Sequence, residues 1–250
     1  LGAGAMGEVL EGRHVSTNRR VAIKLINEKL AESEVVVARF QREARAAGSI
    51  ESRYIAQVLD AGRDAVSGCP YLVMELLEGG DLEALIRRLS ALRPGLALRI
   101  AAQALAGLER AHVANVIHRD IKPANIYLAR SEAGHRTVKI VDFGIAKVKD
   151  DLAASRDHAL TQTTALLGSP LYMSPEQAKQ SRNVDARADL WSLGVVLYQM
   201  LTGDTPHGHA QTLTELLLAI CTEQAQPVQA RAPWVGPEVA RIVDRALALD

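Results

Sequence analysis

HRDIKPAN, residues 118–125, is the stretch on which the reading of this chain turns. Within six residues it sets a carboxylate (Asp120), an ammonium (Lys122) and a carboxamide (Asn125). Pro123 interrupts any helix there. A loop can aim all three groups at one point, where a helix would spread them around its axis. Downstream, residues 138–141 (VKIV) read as a short β-branched strand that delivers Asp142-Phe143-Gly144. A second carboxylate before a glycine is a candidate magnesium ligand, because that hard cation takes oxygen donors beside nucleotide phosphates.

The first residues, LGAGAMGEV (1–9), place Gly2, Gly4 and Gly7 in the pattern G-x-G-x-x-G. Dinucleotide-binding turns and phosphate-covering loops share that pattern. A dinucleotide turn needs a helix directly after the glycines and an acidic residue about 20 positions on. Here Glu8-Val9-Leu10 continues as strand, and the later position holds Lys24 of VAIK. A cation on a neighbouring strand suits phosphate oxygens, so the dinucleotide reading is set aside.

Composition narrows the field without naming a function. The 250 residues suffice for one large domain or two lobes, and 48% hydrophobic with 23% charged residues is ordinary for a globular chain. Lys plus Arg equals Asp plus Glu at 29 each, so no global field points to nucleic acid or an acidic membrane. Cys69 and Cys221 form no C-x-x-C pair, which removes a zinc site or disulfide framework and fits a reducing, cytoplasmic setting. No segment approaches ~18 consecutive apolar residues. The richest run, 190–201, is broken by Ser192, Gly194 and Gln199. No signal peptide is read, and a membrane anchor could lie only outside this stretch.

Periodicity divides the chain in two. Residues 20–26 (RVAIKLI), 56–60 and 71–75 read as strands, and Val36, Phe40, Ala44 and Ala47 recur at helical spacing within 32–48. After EGGD (78–81) the character turns helical, over 82–92, 96–114 and 189–201. Gly203 is placed to end the last of these. The expectation is a small mixed lobe, a hinge near residues 75–80, and a larger helical lobe. Residues 149–168 are polar, aperiodic and long for a connection, as a mobile or regulatory loop would be.

Taken in order, GAGAMGEV, VAIK, HRDIKPAN, DFG, GSPLYMSPE and ADLWSLG resemble the motifs of eukaryotic-type protein kinase domains, most of all the bacterial serine/threonine kinases. The resemblance runs from residue 2 to about 206. It implies an α+β, two-lobed fold, with residues 1–77 as the N-lobe and 78–250 as the C-lobe. It also implies transfer of the γ-phosphoryl of ATP, with Mg2+, to Ser or Thr hydroxyls of protein substrates.

The same resemblance implies residue roles. The backbone of Gly2, Ala3, Gly4, Ala5, Met6 and Gly7 would cover the phosphates. Lys24 would hold the α- and β-phosphates and pair with a glutamate of the first helix. Glu43 is the first candidate, with Glu32, Glu34 and Glu51 behind it. Asp120 would accept the substrate's proton, Lys122 would steady the transferred group, and Asn125 with Asp142 would hold magnesium. Val9, Ala22 and Tyr127 would sandwich the adenine behind a Met74 gatekeeper, with hydrogen bonds from the main chain at Glu75 and Leu77. Arg119 would read a phosphate on the segment 142–176, with Thr161 and Thr163 as acceptors and Thr164 or Ser155 as alternatives. Ser169 would sit near the base and substrate. A transient dimer is expected for autophosphorylation.

Several residues carry plainer readings. His118 and Phe143 are expected to pack, and Asp189 to brace the catalytic loop. Ser174 stands where relatives carry alanine before Pro175-Glu176. Leu1 opens partway through a strand, and Asp250 stops before the arginine that pairs with Glu176 in relatives, so the sequence reads as a domain cut at both ends. A catalytically silent scaffold and a small-molecule phosphotransferase are the competing readings. Lys24, Asp120, Asn125 and Asp142 together weigh against the first, and the long segment ending in SPE weighs against the second.

Overall fold

The β-branched run RVAIKLI forms strand β3 (Arg20–Ile26), the middle of a five-stranded antiparallel sheet. Its neighbours are β1 (Gly2–Gly4), β2 (Gly7–Arg13), β4 (Val58–Arg63) and β5 (Pro70–Glu75), in the order β1-β2-β3-β5-β4. The structure, a computed structural model, describes residues 2–4, 7–27, 31, 33–131, 134–143, 170–179, 181 and 184–249. Side chains 2–4, 35, 36, 39 and 43 fall outside that description.

Helix α1 (Glu34–Gly48) lays Val37, Phe40, Ala44 and Ala47 inward. Phe40 and Ala44 join Ile26 and Leu72 in a small core beneath the sheet. Each large apolar side chain buried there contributes about 1.5–3 kcal/mol. The strand expected over 56–60 is displaced to β4 because Ile55 and Ala56 are taken by another partner: Ile55 bridges Ile140, and Ala56 N donates to Ile140 O at 2.9 Å. A bulge between Val58 and Asp60 completes the shift.

The second lobe holds a three-stranded sheet of β6 (Gly79–Asp81), β7 (Ile126–Arg130) and β8 (Arg136–Ile140). Around it stand α2 (Leu82–Leu89), α3 (Pro94–Val113), α4 (Pro175–Ala178), α5 (Arg187–Thr202), α6 (Leu213–Thr222), α7 (Val228–Arg231) and α8 (Pro237–Ala246). Pro94 at the first helical position starts α3 without a side-chain cap, two residues earlier than its apolar pattern. Helix α5 is buried nearly all round and serves as the central pillar. It stops at Gly203 in the left-handed conformation, φ 87°. The architecture is thus α+β and two-lobed. Among the described residues no helix is long and apolar enough to cross a membrane. The whole polar stretch 149–168 and the rest of 144–169 lie outside the described residues.

Glycine is required where the second sheet begins. Gly79 has φ 143°, and a Cβ there would lie 2.2 Å from Leu128 O. Only a residue without a side chain lets β6 approach β7 at that point.

One buried histidine gives the fold a pH dependence. His207 is 5% exposed, and its Nε2 has no hydrogen-bond partner among the described residues. Burial pushes its pKa below the usual histidine value; His209 lowers it further, against an upward pull from Glu223. The unfolded chain then binds a proton more readily than the folded one. This contribution to stability is complete above the unfolded value of about 6.5 and is lost as pH falls below it. Urea unfolding between pH 7.5 and 5.5 should show a smaller acid loss in His207→Leu than in the parent protein. Equal losses would remove the assignment.

Candidate active site

Strand register brings the two loops of the site together. Ile126 pairs with Ile140 between β7 and β8, and Val141 N donates to Asn125 O at 3.0 Å. The end of 118–125 therefore lies against the start of the Asp142 segment, although the two are well separated in sequence.

Within the first loop, Lys122 Nζ donates to Asp120 Oδ2 at 2.9 Å. Asn125 Nδ2 donates to Asp120 O at 2.7 Å, with Oδ2 of the same residue at 3.4 Å. Spending the amide nitrogen in this way leaves the amide oxygen as the donor atom Asn125 can offer a cation. Asp120 is only 15% exposed at its side chain. Across the seam, Lys24 Nζ lies 2.7 Å from Asp142 Oδ1, with side-chain exposures of 9% and 37%. The cation from the first lobe and the carboxylate from the second thus meet directly.

The loop is held from beneath by one buried carboxylate. Asp189, fully buried, accepts from His118 N at 2.9 Å, Arg119 N at 2.7 Å and His112 Nε2 at 2.8 Å. His118 itself accepts from Asp120 N at its Nδ1 and donates from Nε2 to Val141 O, which fixes its tautomer. Its ring meets Phe143 edge-on with centroids 4.6 Å apart. Both residues pack, as expected, and so tie the loop to the Asp142 segment. Arg119 and Asp142, the neighbours of Asp120 and Phe143, hold left-handed backbones, φ 65° and 64°. Outside glycine such angles are uncommon and carry a cost.

Ser174, read from the sequence as a departure from the family pattern, has a visible task. Its hydroxyl accepts from Gln177 N at 3.4 Å while Gln177 Oε1 accepts from Ser174 N at 3.2 Å, closing a capping box on α4. Gln177 then donates from Nε2 to Arg119 O at 2.9 Å. Tyr172 donates to Gln199 Oε1 at 2.8 Å, and burial, then the charge of Glu83, pushes its hydroxyl pKa upward. Neither His112 nor Gln177 was singled out from sequence. The spacing of Ser174 and Gln177 is a legible capping signal, whereas His112 carries none beyond a helical position.

The face expected to meet the nucleotide is set by the first sheet. Val9 and Leu72 pair with Lys24 on either side, and Ala22 pairs with Met74, so Val9, Ala22, Lys24 and Met74 share one face. Gly7 has φ 142°, and a Cβ there would lie 1.8 Å from Leu25 O. Tyr127 donates to Leu77 O at 3.5 Å, and burial, reinforced by Asp81, raises its hydroxyl pKa. The Glu75 side chain turns away to Lys139 Nζ at 2.6 Å. Backbone of Gly2, Ala3 and Gly4 forms β1, while Ala5 and Met6 lie outside the described residues. The same holds for the Glu43 side chain, Glu32, Ser155, Thr161, Thr163, Thr164 and Ser169, so the pairing of Lys24 with Glu43 is not described.

The donors fit Mg-ATP. Asn125 and Asp142 offer hard oxygen ligands, and among the described residues no group of three or more His, Cys, Asp or Glu forms a cage. Magnesium is characteristically held by one or two carboxylates together with substrate phosphates.

The chain matches along its whole length, residues 1–250, the family described as "Protein kinase domain". It is 38% identical to serine/threonine-protein kinase pkn3 of Myxococcus xanthus over 250 residues, covering 99% of this chain and 45% of that protein. It is 38% identical to serine/threonine-protein kinase Pkn1 of the same organism, covering 99% of this chain and 34% of that protein. Against serine/threonine-protein kinase PknB of Mycobacterium tuberculosis it is 36% identical, covering 99% and 38%. The chain spans less than half the length of these relatives.

Proposed function

From the premise that the chain belongs to the protein kinase domain family, we propose that it is a serine/threonine kinase that transfers the γ-phosphoryl group of ATP to protein hydroxyls. The observation that carries this reading is the convergence of Lys24, Asp120, Lys122, Asn125 and Asp142 at the seam of the lobes. Asp120 takes the proton of the incoming hydroxyl as its oxygen bonds to the γ-phosphorus and the bond to the bridging oxygen of ADP breaks. Lys122, already beside that carboxylate, offers positive charge to the group in transit. Lys24 holds the α- and β-phosphates, and Glu43 of α1 is its partner in this reading. Asn125 and Asp142 hold magnesium, which supplies neutralisation of charge on the phosphate oxygens. The glycine-rich backbone of residues 2–7 covers the triphosphate. Val9, Ala22, Met74 and Tyr127 enclose the adenine, with hydrogen bonds from the main chain at Glu75 and Leu77. We place the division between lobes after residue 77. ATP and free thiols at Cys69 and Cys221 suit work in the cytoplasm.

Arg119 supports a phosphate-controlled activation segment. Its Nε is buried and has no hydrogen-bond partner among the described residues. A phosphate on Thr161 or Thr163, placed there by a second copy of the kinase in a transient dimer, would supply one.

The test uses the chain with Mg-ATP and a generic basic protein, with phosphosites mapped by mass spectrometry. Phosphate is expected on serine and threonine of the added protein and on the 161–164 cluster. Replacing both Thr161 and Thr163 by Ala should lower turnover markedly; unchanged turnover would leave Arg119 without that role. A chain that binds ATP and transfers nothing is a scaffold. Phosphate on tyrosine alone would remove the hydroxyl preference.

A further inference from the structure

Strand β8 ends two residues before Asp142, and its penultimate residue carries a cation into the seam. Lys139 Nζ lies 2.6 Å from Glu75 Oε1 and 3.2 Å from Ile55 O. The same carboxylate oxygen accepts from Gln57 N at 2.8 Å, and Glu75 N donates to Gln57 O at 3.0 Å. The two charged side chains are 17% and 19% exposed. Strand β8, the hinge and residues 54–57 therefore meet at one oxygen atom. At the next residue Ile140 N donates to Tyr54 O at 2.8 Å, and Ile140 O accepts from Ala56 N at 2.9 Å. Two consecutive residues of β8 are thus fastened to the first lobe and its hinge just before the chain delivers Asp142.

Stability alone is a poor account of such a pair. Desolvating two charges offsets most of their attraction, so an ion pair this far from water adds little over apolar packing. What it does provide is a fixed distance and direction, since the carboxylate has a second donor and the ammonium a second acceptor. We propose that Lys139 is a positioning residue for nucleotide binding: through Glu75 it fixes the hinge main chain at the adenine edge relative to Asp142. This rests on the reading of the Glu75 main chain as an adenine contact.

The experiment measures the affinity of a non-hydrolysable ATP analogue with Mg2+, together with the kcat and KM for ATP, in the wild type and three variants of Lys139. Lys139→Met, close in length and without charge, should weaken nucleotide binding and raise KM by about five- to tenfold, with kcat within about twofold. Lys139→Arg should recover most of the loss. Lys139→Gln repeats the neutralisation with a polar side chain should the methionine variant fold poorly. In a double-mutant cycle, Lys139→Met combined with Glu75→Gln should bind no more weakly than the worse single variant. Binding equal to wild type in both neutral variants, at matched melting temperature, overturns the proposal. So does a raised kcat at unchanged affinity, which would make the contact a restraint on turnover. Wild type that binds no nucleotide would remove the adenine reading, and this role with it.

Discussion

Asp120→Asn is expected to lower kcat by about 10²- to 10⁴-fold, the usual contribution of a positioned general base. The affinity for ATP should stay within about threefold, because the proposed function assigns Asp120 to the substrate hydroxyl and not to the nucleotide. The substitution keeps the shape of the loop. Asn125 Nδ2 donates chiefly to the main-chain oxygen of residue 120, at 2.7 Å, and the Asp189 bonds to the neighbouring amides are untouched. What disappears is the ionic partner of Lys122 and, in the proposed function, the atom that takes the proton. Single-turnover transfer to the basic protein, beside nucleotide titration, separates the two quantities. Activity within tenfold of wild type would mean that the proton leaves by another route.

A second large effect is expected far from the substrate. Asp189→Ala leaves His112 Nε2, His118 N and Arg119 N facing a site that no longer accepts. The carboxylate is fully buried, so water does not readily replace it. Removing a buried charged acceptor of this kind costs about 3–5 kcal/mol. For a domain of this size that is roughly a 10 °C fall in melting temperature. Catalysis should fall too, below the new transition, because the Arg119 backbone at φ 65° loses the bond that holds it. Asp189→Asn keeps one acceptor oxygen and should lie between the two. A calorimetric scan with Asp189→Ala melting within 2 °C of wild type, a small fraction of that expected fall, would show that the loop is held by other contacts.

Legibility followed the range of the interactions. β3 was readable because its β-branched run is buried on one face and paired on both sides, so local and tertiary preferences agree. α5 was readable from apolar spacing and Gly203, which fixes its end. β6 could not be read, because Gly79-Gly80-Asp81 has no strand propensity and extends only by pairing with β7. β4 moved for the same reason in reverse, its first residues being claimed by Ile140. In the site, Lys24, Asp120, Asn125 and Asp142 were visible as chemical types in an ordered set of motifs. Lys139 and Glu75 were not seen as a pair, since 64 positions separate them and lysine on a strand ordinarily faces solvent. The bracing role of Asp189 was anticipated, but its third partner, His112, depends on how α3 crosses α5.

The left-handed backbones have a consequence for engineering this protein. Arg119 and Asp142 share their positive φ with Asn18, Ser90 and Asn115, which lie in exposed turns and helix ends. Glycine would relieve the conformational cost at any of the five. At 119 and 142 it would also delete the guanidinium and the carboxylate, so thermostability and turnover compete there. At 18, 90 and 115 no such conflict exists. A directed-evolution campaign seeking heat tolerance should therefore accept changes at the periphery and reject them at the seam; the five dihedral angles are alike, and exposure tells the two groups apart.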